Sequence, residues 1–308
     1  MTPAHRSAAG VVAAFLGTTP ISARAHFTWG PTMVVEVVDE DELKVFVKAS
    51  SNQNVHTEAA VIGHARRAGV PAPEVLGVGT DAGLPGDRWM ITRAANGTSL
   101  ERIGLKAATT IRTLTDVADL YACLHRVTLP GFGPLADDGQ SGELTSWSQW
   151  QRDDMERALA ALERTGSVPT SFPDRVRAVS EEFAPTLDEG TGVLLHADLG
   201  DGETFVDPDS GAVINIVDWG SALVGDPLYD LARFVSGGPA DDPRPSLAFP
   251  VLHARYLERT GADPDRARRL FRFYRLHICV DEAAWGEDLG WTPSLVAWAE
   301  RLLPTLDQ

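Results

Sequence analysis

The chain of 308 residues has two cysteines, three lysines and no long apolar segment. The cysteines, Cys123 and Cys279, lie far apart, outside any C-x-x-C pattern and away from histidine clusters. This spacing argues against a disulfide framework and against a zinc site, and it fits a reducing compartment. Because no stretch reaches the apolar length of a membrane-spanning helix, we expect no membrane partner.

Basic residues are also scarce, since 27 Lys and Arg face 43 Asp and Glu, for a formal net charge of −16. This excess argues against a nucleic-acid partner and favours a cationic or neutral small ligand. An equally simple interpretation is that the acidity keeps the protein soluble. The hydrophobic share of 44% and the chain length suit one large or two modest globular domains.

The first 25 residues allow two interpretations. His5 and Arg6 precede an Ala- and Gly-rich apolar run, and the tripeptide at 23–25 resembles the cleavage site of a secretory leader. The apolar run is weak for a leader. We therefore favour an amphipathic opening helix and a cytoplasmic protein.

Residues 1–96 show β-branched runs separated by turns, a pattern typical of an antiparallel sheet. One helical segment lies at 55–68, and Gly69 and Pro71 prevent its continuation. Lys48 falls at the end of a predicted strand beside the core, although a lysine there commonly extends its ammonium to solvent. The predicted strands are 21–27, 33–38, 43–48, 73–78 and 88–92.

Helical patterns dominate after Gly97. We therefore place a hinge at about 91–97, between an N-terminal domain of residues 1–96 and a C-terminal domain of residues 97–308. The sequence predicts an α+β fold, with an antiparallel sheet and a helix first and a mainly helical part second. The predicted helices are 107–127, 147–164, 174–183, 246–259, 263–279 and 292–303.

The stretch 193–234 carries the densest chemical signal. Turn-forming residues at 207–211 lie between two extended segments and predict a β-hairpin. Asp198 precedes this hairpin and Asp218 follows it, so the two carboxylates can meet at one end. Because paired buried carboxylates are costly without a cation, the arrangement predicts a metal or a polar substrate.

Phosphoryl transfer from a nucleotide uses the residue types found so far. A lysine such as Lys48 binds the phosphates and is positioned by a carboxylate such as Glu58. A second carboxylate carries Mg²⁺, and a third orients or deprotonates the attacking hydroxyl. A metal-dependent hydrolase built on Asp198 and Asp218 is an alternative, but it lacks the usual histidine ligands and leaves Lys48 without a role.

Several segments resemble the signature of the aminoglycoside phosphotransferase family, which comprises small-molecule kinases with a protein-kinase-like, bilobal fold. They are His196-Ala197-Asp198, Val217-Asp218-Trp219 and the run GDPLYDLA at 225–232. The similarity also includes the strand that ends at Lys48, the helix that carries Glu58 and the hinge at 91–100. Each motif is weak alone, but their order and spacing over most of the chain make the resemblance specific.

The resemblance implies a role for each matching residue. Asp198 would be the catalytic base on a hairpin loop of the C-terminal lobe, and His196 would brace that loop. Asp218 would bind Mg²⁺. Lys48 and Glu58 would form the ion pair that holds the phosphates of ATP, while the sequence leaves GTP open.

The nucleotide site includes two departures from the family pattern. The backbone of Arg93 and Ala95 matches the hinge contacts to adenine, but the phosphate loop at Gly30 and Thr32 has one glycine and a proline without an N–H. Glu203 stands where the family has an asparagine as second metal ligand. A carboxylate can also hold Mg²⁺, and its added charge would alter metal number, affinity or rate.

The resemblance implies an ATP- and Mg²⁺-dependent O-phosphotransferase that phosphorylates a hydroxyl of an aminoglycoside-like or other antibiotic and thereby inactivates it. Two alternatives stay open: a kinase of a metabolite such as a sugar or amino alcohol, and a nucleotide-binding pseudokinase that is impaired at Glu203. Asp281, Glu282 and Trp285 form an acidic-aromatic cluster suited to a cationic or sugar-bearing ligand, although a solvated loop explains it equally well. We expect a monomer or a weak dimer.

Overall fold

The computed structural model describes residues 3–29, 31–103, 107–235, 247–286 and 290–306. Gly30 of the predicted phosphate loop lies outside the described residues. The helices are α1 (Pro3–Leu16), α2 (Val55–Arg67), α3 (Leu100–Ile103), α4 (Ala107–Leu124), α5 (Trp147–Thr165), α6 (Phe172–Leu187), α7 (Leu228–Phe234), α8 (Ala254–Thr260), α9 (Pro264–Trp285) and α10 (Thr292–Leu302). The strands are β1 (Pro20–Trp29), β2 (Thr32–Asp39), β3 (Lys44–Ser50), β4 (Val75–Thr80), β5 (Arg88–Arg93), β6 (Thr98–Ser99), β7 (Phe132–Leu135), β8 (Gly142–Leu144), β9 (Val193–Leu195), β10 (Thr204–Val206), β11 (Val213–Ile216) and β12 (Leu223–Gly225).

The first five strands form one antiparallel sheet in the order β1-β2-β3-β5-β4. Alternation of apolar residues gives it a buried face, where Val35 and Val47 share a cluster with Val11 and Val12 of α1. Helix α2 begins at the cap Asn54, whose side chain accepts from the His56 N–H at 3.1 Å. The predicted antiparallel sheet and its helix are thus confirmed.

The helices after the hinge surround the larger hydrophobic core. Helix α9 buries side chains along its length and packs against α5 and α7. Its Tyr274 hydroxyl accepts from the Trp147 indole N–H at 3.0 Å, so these two buried polar groups satisfy each other. In the part of the chain that the structure describes, no helix is long and apolar enough to cross a membrane. The α+β class is confirmed.

Strands β10 and β11 form the predicted hairpin, with Thr204 opposite Ile216. The Gly211 N–H closes the turn on the Asp207 carbonyl oxygen at 2.9 Å. Strand β6, directly after the hinge, adds a third strand to this small sheet. At Gly97 the hinge passes so close that a Cβ would lie 2.8 Å from the carbonyl oxygen of Val206, and its φ of +91° also favours glycine. The hinge is therefore packed directly on the hairpin.

A second small sheet has the order β8-β7-β12-β9. Strands β7, β8 and β12 were not predicted because three or four residues rich in glycine and proline show no readable period. Strand β12 pairs with β9, with Val224 opposite Leu194, and so fixes the chain that enters the loop of Asp198. The domain boundary at residues 96–97 stays a prediction.

Candidate active site

Lys48 lies on β3 between Val34 of β2 and Met90 of β5. Strands on both sides fix its backbone, and its side chain is only 11% exposed. The ammonium lies 2.8 Å from Glu58 Oε2 on α2 and 2.7 Å from Asp218 Oδ1 after β11. The structure thus brings the predicted lysine and glutamate together and adds the predicted metal ligand to the pair.

Electrostatics keep this lysine charged. Burial alone would lower the pKa of Lys48, but the carboxylates of Glu58 and Asp218 outweigh it and raise the pKa. Burial raises the pKa of Glu58, with Lys48 opposing that shift. Burial also disfavours the charge of Asp218, yet Lys48 prevails and lowers the pKa of this carboxyl. Removing the lysine would leave two carboxylates facing each other without a cation.

The turn after β11 is shaped around the lysine. Asp218 has a φ of +60°, a left-handed conformation that aspartate tolerates better than most residues. Trp219 is buried and anchors the turn, because its indole N–H donates to the Ile216 carbonyl at 3.0 Å. At Gly220 a Cβ would lie 3.1 Å from the Lys48 ammonium nitrogen, so a larger residue would crowd it.

His196 connects the loop of Asp198 to the loop of Asp218. Its Nε2 lies 3.0 Å from the Val217 carbonyl oxygen, and its Nδ1 lies 3.3 Å from the Asp198 backbone nitrogen. Since a carbonyl can only accept, Nε2 carries the proton and Nδ1 accepts from the Asp198 N–H. The buried ring also packs at 4.6 Å between centroids against Trp219. These contacts hold the two loops together, and the role that the family resemblance implies for His196 stays a prediction.

Asp230 of α7 holds the same loop from the other side. Its buried carboxylate accepts from the backbone N–H groups of His196 at 3.0 Å and of Ala197 at 2.8 Å. Ala197 has a φ of +65°, so the loop needs such support. His125 Nε2 also lies 3.2 Å from Asp230, and its Nδ1 lies 2.9 Å from the Tyr256 hydroxyl. A buried network therefore fixes the backbone that carries Asp198.

Asp198 is 44% exposed at its side chain and pairs with Arg233 of α7. The Arg233 Nε and Nη2 atoms lie 3.2 and 2.5 Å from the same oxygen, Asp198 Oδ1. Arg233 also pairs with Glu282 of α9 through Nη1. The predicted base is thus partly exposed and has one oxygen held by a cation.

Glu203 precedes β10 directly. Because Thr204 pairs with Ile216, Glu203 lies opposite Val217, whose N–H donates to the Glu203 carbonyl at 3.0 Å. Its carboxylate reaches the loop at Gly200, where a Cβ would lie 3.1 Å from Oε2. The hairpin register therefore places Glu203 one residue from the predicted metal ligand that follows Val217.

The donor set fits a divalent cation. Burial first, and then repulsion by Asp198 and Asp218, raises the pKa of Glu203 to about 7. A cation between these carboxylates would relieve that repulsion, and Mg²⁺ is commonly bound by one or two carboxylates together with substrate phosphates. In the described ranges, no three or more His, Cys, Asp or Glu side chains form a ready metal cage. Glu203 and Asp218 thus suit a metal completed by phosphate oxygens.

The raised pKa of Glu203 predicts a pH-dependent stability in the absence of divalent metal. The folded protein retains a proton that the unfolded chain releases between pH 4.5 and about 7. Stability should therefore fall as pH rises through this window, by at most about 1.4 kcal/mol per pH unit. Urea unfolding of Glu203→Gln should show a flatter pH dependence than wild type, whereas the surface control Thr115→Ala should not. Equal slopes for wild type and Glu203→Gln would contradict this prediction.

Of the predicted nucleotide contacts, Arg93 and Ala95 lie at the hinge and Thr32 lies at the start of β2. The Arg93 N–H donates to the Glu74 carbonyl at 2.9 Å, and the Arg93 side chain pairs with the Glu74 carboxylate. Among the described residues no hydrogen bond occupies the Ala95 N–H, which leaves this N–H free to donate to the nucleobase of a nucleotide. Thr32 Oγ1 lies 2.8 Å from Ser50 Oγ, so it connects β2 to the end of β3. These roles stay predictions.

The predicted substrate cluster lies on the last turns of α9. Glu282 is engaged with Arg233, Asp281 is half-buried, and Trp285 is 70% exposed. Burial, with repulsion from Asp154, raises the pKa of Asp281 to about 6. A second acidic pair of the sequence, Glu287 and Asp288, follows this cluster and lies outside the described residues. A substrate role for Asp281, Glu282 and Trp285 stays a prediction.

Comparison with solved structures defines the class of protein: the fold is protein-kinase-like, as in the aminoglycoside phosphotransferases. A thermostable mutant of aminoglycoside phosphotransferase APH(4)-Ia, in a ternary complex with ADP and hygromycin B, superposes with a TM-score of 0.71 at 20% identity over 99% of this chain and 98% of that one. A protein assigned as a fructosamine-3-kinase from Thermobifida fusca gives 0.67 at 16% identity over 97% and 98%. At such identities the likeness concerns the fold.

Sequence comparison then identifies the family. Residues 31–271 match the model of the phosphotransferase enzyme family APH, and the chain belongs to that family. Hygromycin-B 4-O-kinase of Escherichia coli is 28% identical over 229 residues, which are 71% of this chain and 61% of that relative's length. The segments HADLG at 196–200, ITRAANG at 91–97 and GFGP at 131–134 also resemble hygromycin phosphotransferase.

Arg233 is the residue near the base that sequence reasoning missed. Its signal was available, because it is a charged residue in a short helix whose other residues, apart from Asp230, are apolar or aromatic. A charged residue on a buried helix needs a partner, and here the partners come from two distant segments. The spacing of residues in the sequence does not show which carboxylates pair with Arg233.

Proposed function

We propose that the protein is a nucleotide- and Mg²⁺-dependent O-phosphotransferase that phosphorylates a hydroxyl of a small molecule. The observation that carries the proposal is Lys48, held between Glu58 and Asp218 at 2.8 and 2.7 Å. His196 connects this group to the loop of Asp198. A lysine, its orienting carboxylate, a metal-binding carboxylate and a base are the parts that phosphoryl transfer requires.

Each of these residues has a separate role in the proposed reaction. The Lys48 ammonium would bind nucleotide phosphates while Glu58 holds it in place, and Asp218 and Glu203 would hold Mg²⁺. When bound, Mg²⁺ neutralises charge on the phosphate oxygens. The acceptor hydroxyl oxygen forms a bond to the γ-phosphorus as the bond to the β–γ bridging oxygen breaks, and Asp198 accepts the hydroxyl proton.

For the nucleotide, we propose ATP with GTP also permitted, bound at the hinge backbone of Arg93 and Ala95 with Thr32 near the phosphates. The hinge at 91–97 would separate an N-terminal lobe of residues 1–96 from a C-terminal lobe of residues 97–308. Its close approach to the hairpin at Gly97 supports a site between the two lobes. We also propose a cytoplasmic monomer or weak dimer.

For the acceptor, we propose an aminoglycoside-like antibiotic, inactivated by the transfer. The net charge of −16 and the acidic cluster at Asp281 and Glu282 favour a cationic molecule. The relative named as a hygromycin-B kinase supports the same class. The alternative acceptor is a sugar or amino alcohol of metabolism, which the structural similarity to a protein assigned as a fructosamine-3-kinase favours.

A panel of acceptors tests the proposal. Purified protein with Mg-ATP or Mg-GTP is offered aminoglycosides, hygromycin B, fructosamines and amino alcohols, and phosphorylated product is measured by mass spectrometry. Cells that express the protein are tested for resistance in parallel, with an Asp198→Asn strain as control. Product from antibiotics together with resistance supports the antibiotic kinase, while product from metabolites alone supports the alternative. Nucleotide binding without product from any acceptor would favour a pseudokinase limited by Glu203.

A further inference from the structure

Arg233 joins the catalytic loop to the last turns of α9. Its guanidinium contacts Asp198 Oδ1 through Nε at 3.2 Å and Nη2 at 2.5 Å, and it pairs with Glu282 through Nη1. The three residues come from the loop after β9, from α7 and from α9. They form one line of alternating charge, which we call the Glu282–Arg233–Asp198 chain.

The two Arg233 nitrogens that contact Asp198 bind the same carboxylate oxygen, Oδ1. Within the described ranges no hydrogen bond reaches Asp198 Oδ2, and 44% of this side chain is exposed. An exposed aspartate on a loop would otherwise sample several rotamers. Anchoring Oδ1 therefore leaves Oδ2 directed to the open side, where an acceptor hydroxyl can reach it.

Burial of the Arg233 guanidinium is unfavourable unless both carboxylates, Asp198 and Glu282, are present. Arg233 is only 24% exposed, on a helix whose other residues are buried. Burial would lower its pKa, but the Asp198 and Glu282 carboxylates outweigh burial and raise it. Removing either carboxylate leaves a poorly solvated guanidinium with half of its partners. Glu282 thus has a structural reason to lie where it does, apart from any contact with substrate.

We propose that Arg233 is a positioning residue for phosphoryl transfer, which orients Asp198 toward the acceptor hydroxyl, and that Glu282 holds Arg233 in this orientation. This inference rests on the proposed function. Glu282 then acts on the reaction through Arg233. A cationic group of the acceptor that binds near Glu282 changes the position of Arg233 and thereby the orientation of Asp198. Helix α9 and the loop of Asp198 thus act together in the reaction.

The contact between Arg233 and Asp198 Oδ1 acts on the reaction through the orientation of the Asp198 carboxylate. Phosphoryl transfer depends mainly on positioning and electrostatics, and little on how strongly the base attracts the proton. Misplacement by about 1 Å can cost about 100-fold in rate. By fixing this orientation, the Arg233–Asp198 pair therefore promotes turnover.

The test is a double-mutant cycle on kcat. Arg233→Gln should lower kcat about 10- to 100-fold, with the KM for nucleotide unchanged because Lys48 and Glu58 are untouched. In an Asp198→Asn background the same change should lower the residual rate no further, since there is no base left to orient. A purely structural role would lower both rates by the same factor. Glu282→Gln should give a smaller loss of kcat, again absent in the Asp198→Asn background.

Arg255→Gln is the matched control, because Arg255 is likewise shared between an aspartate and a glutamate. It lies 2.8 Å from Asp119 and 2.7 Å from Glu258, in a separate pair of helices. Its kcat should equal that of wild type. If wild type transfers phosphate while Arg233→Gln keeps its kcat, or loses it equally in both backgrounds, the positioning role is wrong and the proposed function stands. If wild type transfers no phosphate to any acceptor, both proposals are wrong.

Discussion

Asp198→Asn is expected to reduce kcat about 10²- to 10⁴-fold, because an amide cannot accept the proton of the acceptor hydroxyl. The change is nearly isosteric, and the backbone bonds that fix the loop do not involve this side chain. Nucleotide binding should persist, since Lys48, Glu58 and Asp218 are unchanged. Steady-state kinetics measure the first effect, and isothermal titration with a non-hydrolysable nucleotide measures the second.

Asp209→Asn provides the control for this experiment. It is the same substitution at an exposed position in the turn at the far end of the hairpin, so kcat should not change. A kcat for Asp198→Asn close to that of wild type would remove Asp198 as the base. A joint loss of turnover and nucleotide binding would point instead to a loop that no longer folds correctly.

The sequence predicted the local structure around the candidate site well where one residue type has one physical role. Turn residues at 207–211 predicted the hairpin because only a few residues accept such backbone angles. The register of that hairpin then brings Glu203 beside the turn of Asp218, as the two-residue period of strands requires. A lysine at the end of a central strand could be recognised because lysines are rare in this chain.

The remaining features depend on contacts that no local pattern encodes. Arg233 finds partners 35 and 49 residues away, at Asp198 and Glu282. The strands at 132–135 and 223–225 are too short to show a period, and they form because β12 pairs with β7 on one side and with β9 on the other. Burial, which raises the pKa of Glu203, is likewise a property of the packed fold and not of the sequence near residue 203.

The free energy of unfolding should fall by about 1–3 kcal/mol in Asp230→Asn, because the buried amide leaves one backbone N–H of the loop without an acceptor. Asp230 Oδ1 and Oδ2 each accept a backbone N–H of the catalytic loop, from Ala197 and His196. An asparagine offers one oxygen and one NH₂ group, so one of these N–H groups would face another donor in the protein interior.

The same substitution should also lower kcat at temperatures where the protein remains folded, because Ala197 would relax from its left-handed conformation and displace Asp198. Urea unfolding and steady-state kinetics on one preparation separate the two effects. Asp119→Asn serves as the control, since its aspartate pairs with arginines at the surface and should cost less than about 1 kcal/mol. If Asp230→Asn unfolds like Asp119→Asn, the loop does not depend on this carboxylate. Its conformation would then have to be attributed to His196 and its contact with the Val217 carbonyl.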